Sequence, residues 1–156
     1  MTIEAVKAYL DGCGLGDRVY EFDVSSATVE LAAQALGCQP CLIAKTMSFL
    51  VDGHVVLVVL AGDVRIDNAR FKATFHQKAK MLSPEQVSEL TGFPVGGVCP
   101  FLAPEGTQVY LDESLKRFEI VYPAAGTRNS AVKVNLEELE RAAKPAGWVN
   151  VGKLPG

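Results

Sequence analysis

An uncharged loop offers backbone chemistry rather than side-chain chemistry. It spans Gly92–Phe101 and reads Gly-Phe-Pro-Val-Gly-Gly-Val-Cys-Pro-Phe. Three glycines and two prolines predict a fixed, irregular backbone. Glycine lets a backbone approach a ligand closely and aim its N–H groups, while proline holds the shape. Because surface loops are normally polar, this apolar loop indicates the wall of a binding site. A buried structural crossover is the alternative that the pattern leaves open.

Lys45 is the second candidate, because its charge stands in an apolar strand. It lies in the run 41–51, where alternation makes it the only charge on the more apolar face. The run 55–61 follows the turn pair Asp52-Gly53 and is apolar on both faces, which is typical of a central strand. A lysine beside such a strand loses hydration unless it meets an anion or opens into a cleft. The alternative is a side chain that extends along the strand edge to solvent.

Other catalytic chemistries are poorly supplied. The two histidines, His54 and His76, both lie outside the loop that contains Cys99, which disfavours Ser-His-Asp or Cys-His catalysis without excluding a contact in space. The pair Cys38 and Cys41 provides two ligands where zinc needs four, and it enters a strand rather than opening a helix as a redox motif does. No phosphate-binding glycine loop occurs. We therefore expect no metal and no cofactor.

What remains is a cleft with one lysine and glycine amides. Backbone N–H groups can stabilise an oxyanion, and Lys45 can hold a phosphate or a hydroxyl. Such a site suits the hydrolysis of an already activated ester, in which the substrate supplies part of the proton transfer.

Composition predicts one globular domain over residues 1–156, with 49% hydrophobic residues to build its core. No apolar run reaches the roughly 18 residues of a membrane span, and the N-terminus lacks a signal-peptide layout. Four cysteines without framework spacing favour a reduced, cytoplasmic protein. A net charge of −3 argues against a protein that clamps long DNA, although positive charge is concentrated in 70–80. A solvated helix face is the alternative explanation of that run.

The elements that must position these residues follow from local signals. We expect strands where apolar residues alternate, and helices where capping residues precede 3.6-residue periodicity. The predicted helices are 2–10, a second helix that Ser26 or Thr28 caps and that extends to about Leu36, 67–76, 84–91 and 136–144. The predicted strands are 18–23, 42–51, 55–61, 63–67, 108–112, 118–122 and 131–134. The order does not repeat as βαβ, so the prediction is an α+β fold: a mixed, largely antiparallel curled sheet with flanking helices.

Four segments together resemble the YbaK/EbsC family of free-standing aminoacyl-tRNA deacylases, relatives of the editing domain of bacterial prolyl-tRNA synthetases. The resemblance runs from about Tyr20 to about Leu139, and its most specific element is the Gly-x-x-x-Pro loop, here Gly96 to Pro100. The family fold is a mixed sheet curled around a pocket. The segments are Ile43-Ala-Lys-Thr46, Asp67-Asn-Ala-Arg-Phe-Lys72, Thr91–Phe101 and Gly126-Thr-Arg-Asn-Ser130.

The resemblance assigns roles by position. It implies that Lys45 contacts the terminal adenosine region of the substrate and that the amide of Gly96 faces the scissile carbonyl. The further substrate-binding candidates are Tyr20, Thr46, Gly97, Val98, Pro100, Phe101 and Ser130. The candidates for tRNA binding are Lys72, Lys78 and Lys80.

Two positions depart from the family pattern. Leu102 stands where many members have another glycine, and Ser130-Ala131 offers no acid where some cysteine-specific members place an aspartate. The second departure leaves the edited amino acid open.

The resulting prediction is an aminoacyl-tRNA deacylase that removes a small amino acid, such as Cys or Ala, from mischarged tRNA-Pro in trans. Its expected partner is the aminoacyl-tRNA acceptor end, with an aminoacyl-tRNA synthetase as a further candidate and neither membrane nor DNA involved. The alternative is a non-catalytic module of the same fold that binds a free amino acid or nucleotide. An intact Lys45 together with the Gly96–Pro100 loop favours the enzyme.

Overall fold

The helices begin and end where the capping residues predict. The structure is a computed structural model that describes residues 2–155. The side chains of Thr28, Ser83 and Asn135 each accept a hydrogen bond from a backbone N–H of the helix that they open. Gly37 and Gly92 end their helices in the left-handed conformation. The α-helices are α1 (Ile3–Gly12), α2 (Val29–Leu36), α3 (Asn68–Phe75), α4 (Pro84–Thr91) and α5 (Leu136–Ala143).

Strands form one six-stranded sheet and two short pairs. The first five are β1 (Val19–Glu21), β2 (Ile43–Val51), β3 (His54–Ala61), β4 (Arg65–Ile66) and β5 (Gln108–Asp112). The others are β6 (Ile120–Pro123), β7 (Ser130–Val132), β8 (Val134–Asn135), β9 (Gly147–Val149) and β10 (Gly152–Lys153). The main sheet has the order β8-β6-β2-β3-β5-β9, and β1 pairs with β7 while β4 pairs with β10.

The predicted hairpin is the centre of the sheet. Strands β2 and β3 pair antiparallel from Ala44–Ala61 to Val51–His54, and both turn residues, Asp52 and Gly53, have positive φ. A two-residue turn of this kind matches the twist of the strands that it joins. Strands β6 and β5 then add in parallel on the two sides of the hairpin. The predicted mixed, curled α+β fold is confirmed.

Three details differ from the sequence prediction. Strand β6 begins at Ile120 because Phe118 ends a short 3₁₀ helix. The predicted strand 131–134 is divided, since β7 pairs with β1 whereas β8 pairs with β6. Strands β9 and β10 were not predicted: they are short, and their partners β5 and β4 supply the pairing.

Two helices lie on the same face of β2, at its two ends. Ile43, Lys45, Met47 and Phe49 alternate onto this face. Ala32 of α2 clusters with Ile43 at the start of the strand. At the other end, the ring of Phe71 in α3 contacts the ring of Phe49, with centroids 4.7 Å apart. Lys45 and Met47 therefore lie between α2 and α3. Among the residues described, no helix is long and apolar enough to cross a bilayer.

Candidate active site

A cavity beside Lys45 is the candidate site. It encloses about 130 Å³ and lies between the first half of β2, the start of α2, the apolar loop and the segment 122–131. Its walls combine small apolar side chains with hydroxyl groups. They are formed by Ser26, Ala27, Thr28, Val29, Ala32, Ile43, Ala44, Lys45, Thr46, Gly96, Val98, Tyr122, Ala124, Ser130 and Ala131.

A gap in the sheet creates this cavity. Strand β6 pairs with β2 only at Ile43 and Ala44. Farther along β2, the segment 80–82 pairs with the same edge of the strand: Leu50 N–H donates to the carbonyl of Lys80 at 2.9 Å. Backbone groups alternate along a strand, so Thr46 turns its N–H and C=O toward the same side as Leu50, into the space between the two partners. The cavity floor therefore contains strand backbone that β6 does not pair.

A tight turn brings Gly96 to the cavity wall. Gly97 N–H donates to the carbonyl of Pro94 at 2.9 Å, and Gly96 has a φ of +84°. This is the third position of a turn that requires positive φ, where glycine is favoured. A Cβ at Gly96 would lie 2.8 Å from the Cβ of Ala27. Within residues 2–155, no backbone carbonyl accepts from Gly96 N–H. The position thus demands glycine, and its amide is free for a ligand.

Three loops are tied together at the cavity. The Nε of Arg128 donates to the carbonyl of Val95 at 3.0 Å, which fixes the apolar loop against the turn 126–130. Ser26 N–H donates to the carbonyl of Arg128 at 2.6 Å. Thr127 Oγ1 lies 2.7 Å from Ser130 Oγ, so the buried Ser130 hydroxyl is already hydrogen-bonded within the wall. These bonds hold the walls in place before a ligand binds, which reduces the cost of ordering them.

Lys45 has an unusual electrostatic environment. Burial lowers the pKa of its ammonium group, and the negative charges of Asp63 and, more weakly, Glu30 partly oppose that shift. Asp63 is itself bound by both terminal nitrogens of Arg117, at 2.6 and 3.1 Å. Among the described residues, Lys45 forms no salt bridge. A half-buried cation without a partner of its own is suited to bind an anionic or hydroxyl-bearing ligand.

Thr46 adds a second unsatisfied group. Its Oγ1 is buried and has no hydrogen-bond partner among the described residues. Leaving a buried hydroxyl unpaired costs about 1–3 kcal/mol. Thr46 also lines the cavity, so this hydroxyl is a candidate polar group of the site.

The structure brings together five of the residues predicted from the sequence. Lys45, Thr46, Gly96, Val98 and Ser130 all line the cavity.

Four other predicted residues lie outside the cavity. Phe101 is fully buried in the core, so the expectation that it forms the pocket wall is corrected: its ring stabilises the loop by packing. Pro100 is also buried and borders a different groove, beside α5. A Cβ on Gly97 would meet the backbone of Thr127, so Gly97 permits close packing behind the turn. Tyr20 is exposed on β1, one strand away from the cavity-lining Ala131.

Lys72, Lys78 and Lys80 also lie away from the cavity. Lys72 and Lys78 border a separate groove at α3, and Lys80 lies beside Leu50, near the far end of β2. All three side chains are exposed.

The sequence prediction missed one wall of the site. Ser26 and Ala27 precede α2 and Ala32 lies within it, while Tyr122 and Ala124 come from the end of β6 and the residue that follows it. In this wall the sequence has a signal only at Ser26 and Thr28, since either residue type can cap a helix. Thr28 is indeed the cap of α2.

Leu102 has the backbone conformation that glycine favours. Its φ is +55°, in the left-handed region where a side chain is strained. Glycine at this position, as in many family members, adopts that conformation without strain. Here Leu102 packs instead against the hydrophobic core, which offsets part of the strain.

The chemistry available to the cavity is narrow. None of its lining residues is Asp, Glu, His or Cys. The described residues also contain no group of three or more such side chains placed to share a metal ion. The cavity can therefore bind a small ester, stabilise negative charge on a carbonyl oxygen through an amide, and hold a polar group of the ligand at Lys45.

Cys99 is expected to be structural, although it belongs to the apolar loop. Its thiol is fully buried, lies 3.7 Å from the carbonyl of Phe101, and has its pKa raised to about 12 by burial. At neutral pH the nucleophilic thiolate is therefore essentially absent. We expect Cys99→Ser to keep hydrolytic activity within about threefold, since serine can donate the same hydrogen bond. Complete loss of activity, together with capture of an acyl thioester on the parent protein, would identify a thiol nucleophile instead.

The fold and the cavity define a small α+β domain with a compact polar cavity whose wall contains no Asp, Glu, His or Cys side chain. Comparison with known proteins specifies the class. The sequence profile of the aminoacyl-tRNA editing domain matches residues 24–142. The chain belongs to the aminoacyl-tRNA editing domain family, as its sequence motifs predicted.

Similar proteins fall into two groups. The uncharacterised protein YwhH of Bacillus subtilis (strain 168) is 45% identical over 154 residues, which are 98% of both chains. The proline–tRNA ligase of Thermotoga neapolitana is 32% identical over 92 residues, 57% of this chain but only 15% of the ligase. The match thus covers a small part of the synthetase.

Solved structures share the whole fold. A protein described as a candidate trans-editing enzyme for prolyl-tRNA synthetase superposes with a TM-score of 0.86 at 28% identity, covering 97% of this chain and 96% of that chain. The hypothetical protein APE2540 superposes with a TM-score of 0.85 at 30% identity, covering 95% and 99%.

Proposed function

We propose that this protein hydrolyses the ester bond of mischarged aminoacyl-tRNA and acts in trans, as a domain separate from a synthetase. The observation that carries the proposal is a cavity of about 130 Å³ lined by both Lys45 and Gly96. Within the described part of the chain, Lys45 has no salt bridge and the Gly96 amide has no backbone acceptor. Membership of the editing-domain family supports an aminoacyl-tRNA substrate. The structural match over nearly the whole chain to a candidate trans-editing enzyme supports action in trans.

The proposed reaction is a water attack that needs little from protein acids or bases. The water oxygen forms a bond to the ester carbonyl carbon, and the carbonyl oxygen develops negative charge near Gly96 N–H. The ester C–O bond then breaks, the ribose oxygen takes a proton that the water releases, and the amino acid leaves as a free acid. An adjacent ribose hydroxyl can relay that proton, which fits a cavity without a carboxylate or imidazole in its wall. Lys45 would hold the terminal nucleotide in register for the attack.

A small amino acid is the proposed group removed. The volume and the side chains of Ala44, Ala124 and Ala131 leave space for a short side chain. The wall is more polar than the sequence suggested, since hydroxyls of Ser26, Thr28 and Ser130 join Val98 there. Cys or Ala on tRNA-Pro is the proposed substrate, because the matches to proline–tRNA ligases link the domain to that tRNA. The proposed partners are the acceptor end of that tRNA and prolyl-tRNA synthetase, and the proposed location is the cytoplasm.

A deacylation screen tests the proposal directly. Transcripts of tRNA-Pro charged separately with Cys, Ala, Ser, Thr and Pro would be incubated with the protein, and the surviving ester would be measured over time. We expect faster hydrolysis of the small esters and slower hydrolysis of the bulkier ones. A pocket of this kind discriminates by only about 1–3 kcal/mol per methylene. The absence of turnover on every charged tRNA would contradict the proposal.

The side chains that line the cavity also fit a second candidate function, a non-catalytic binding module. Because the cavity wall lacks a carboxylate or imidazole, the same geometry could bind a free amino acid or nucleotide without catalysis. Calorimetry with free amino acids separates the two. We expect weak binding, because no lining acid is available for the ligand ammonium group. Tight binding without turnover of any charged tRNA would favour the module.

A further inference from the structure

A stretch without acidic residues stands out in a chain of net negative charge. Residues 68–84 contain Arg70, Lys72, Lys78 and Lys80 but neither Asp nor Glu, whereas the whole chain has 18 acidic and 15 basic residues. In the fold, a carboxylate contacts the stretch: Asp52 accepts a hydrogen bond from the Gln77 side chain. A segregation of this kind raises the local positive potential and attracts polyanions even when the net charge is −3.

Three of these four cations are available to a ligand. Arg70 is engaged in the fold, because its Nη1 donates to the carbonyl of Gly152 at 2.7 Å. Lys72, Lys78 and Lys80 are exposed, and none of them forms a salt bridge among the described residues. We call these three side chains the lysine patch. Lysine acts as a mobile point charge, which suits contacts with phosphate groups.

The lysine patch and the cavity lie along the same edge of β2. Lys45 and Phe49 alternate onto one face of β2, and Phe49 contacts Phe71, the neighbour of Lys72 in α3. Lys78 lies across the groove from Lys72. The backbone of Lys80 pairs with Leu50 on the edge of β2 that also borders the cavity, and its side chain projects from the sheet face opposite Lys45, because Met81 is the residue paired with Phe49. Lys45 and Phe49 are four positions apart on β2, a distance of about 13 Å along the strand.

We propose that the lysine patch binds phosphates of the unpaired 3′ strand of the charged tRNA, upstream of the nucleotide that carries the ester. This proposal rests on the proposed function, and it specifies where the tRNA strand upstream of the ester binds. A stacked strand advances about 3.4 Å per nucleotide, so a span of about 13 Å corresponds to at most about four nucleotides. That length matches the unpaired end rather than the duplex stem. Phosphate contacts position a nucleic acid but do not read its sequence, so the patch sets affinity and register.

The test compares two triple variants of equal charge. The first is Lys72→Gln/Lys78→Gln/Lys80→Gln. The control is Lys7→Gln/Lys116→Gln/Lys133→Gln, whose lysines lie on α1, on the 3₁₀ helix Glu113–Arg117 and beside β7. Steady-state deacylation of charged tRNA would be measured at two salt concentrations differing fourfold. In parallel, an aminoacyl ester of adenosine would serve as a substrate that lacks the upstream phosphates.

We expect the patch variant to raise KM for charged tRNA with little change in kcat, and the control to behave as the parent does. Three lost contacts reduce the salt slope by about 2, so a fourfold increase in salt should weaken the variant about twentyfold less than the parent. The difference between variant and parent should shrink on the adenosine ester. An equal loss on both substrates, or a variant that matches the control, would overturn the assignment to upstream phosphates.

A binding measurement keeps this proposal separate from the proposed function. Uncharged tRNA, a short single-stranded RNA and a blunt RNA duplex would each compete for binding to the protein. We expect the single strand to compete on the parent and much less on the patch variant, even if no ester is hydrolysed. Competition by the duplex alone would overturn the assignment to the unpaired strand. If charged tRNA is not hydrolysed but the single strand competes as expected, the proposed function fails and the phosphate site stands.

Discussion

Replacing Lys45 with alanine should lower kcat/KM for charged tRNA roughly ten- to hundredfold, because a charge-assisted contact contributes about 1.5–3 kcal/mol to transition-state binding. The fold should survive the substitution. Lys45 forms no salt bridge among the described residues, so removing it leaves no carboxylate unpaired. Lys45→Met is the matched variant, since it keeps most of the aliphatic stem that packs along β2 and removes only the charge.

The stability of these variants has a predictable sign. Burial lowers the pKa of Lys45 in the folded protein, so between its folded and unfolded pKa values the unfolded chain binds more protons. Stability then rises with pH through that window, and at neutral pH the charged lysine destabilises the fold. Lys45→Met should therefore unfold at the same temperature as the parent or at a higher one. Thermal unfolding followed by circular dichroism at neutral pH checks this.

The pH dependence of hydrolysis offers an independent reading of the same group. If the charged form of Lys45 holds the substrate, kcat/KM should fall as the pH rises and Lys45 loses its proton. Because burial lowers the pKa of Lys45, this fall should occur below the ordinary lysine pKa of 10.5. The spontaneous hydrolysis of the ester must be subtracted at each pH. Lys45→Met should lack this decline. A folded Lys45→Ala protein with unchanged kcat/KM would remove Lys45 from the mechanism.

The parts of the fold that local chemistry determines could be predicted from the sequence. The residue pair Asp52-Gly53 predicts the hairpin turn, and both residues have positive φ in the structure. Capping residues likewise determine three helix starts, at Thr28, Ser83 and Asn135. These signals involve residues within a few positions of one another, so a single sequence contains them in full.

The parts that depend on distant partners could not be predicted. Strand β9 exists because Tyr110–Asp112 present an edge to Gly147–Val149, and nothing within the short segment itself indicates a strand. The cavity follows the same rule. Lys45 and Gly96 could be identified by residue type, but the wall from Ser26 to Ala32 could not, because only the tertiary fold brings α2 against β2.

The prediction that Phe101 lines the pocket was wrong for a related reason. Its position in a glycine-rich, apolar loop suggested a pocket wall, and loops often carry functional residues. In the structure, the loop turns after Val98, so that the Phe101 side chain enters the core while Gly96 and Val98 line the cavity. Periodicity predicts which side of a helix or strand is buried, but an irregular loop has no such period.

Gly96→Ala should reduce hydrolysis by about two to three orders of magnitude, as expected when one oxyanion donor is lost. Alanine keeps the N–H, but the turn that carries it must shift. Two effects combine at this position. Alanine at a φ of +84° is strained by about 1–2 kcal/mol. The added Cβ would also lie 2.8 Å from the Cβ of Ala27 and 3.1 Å from its carbonyl oxygen, so the turn must move away from the cavity wall. Single-turnover deacylation of charged tRNA measures the effect.

Gly106→Ala separates the catalytic effect from backbone strain. Gly106 has a φ of +87°, almost the same as that of Gly96, but a Cβ there would have no heavy atom within 4 Å. Both variants should lose similar stability from the left-handed conformation, and only Gly96→Ala should lose activity. If both variants lose activity in proportion to their stability, the Gly96 amide is a structural feature of the turn. If Gly96→Ala is folded and fully active, the carbonyl oxygen is stabilised elsewhere. The N–H of Thr46, which lies beyond the last residue of β2 paired with β6, then becomes the next donor to test.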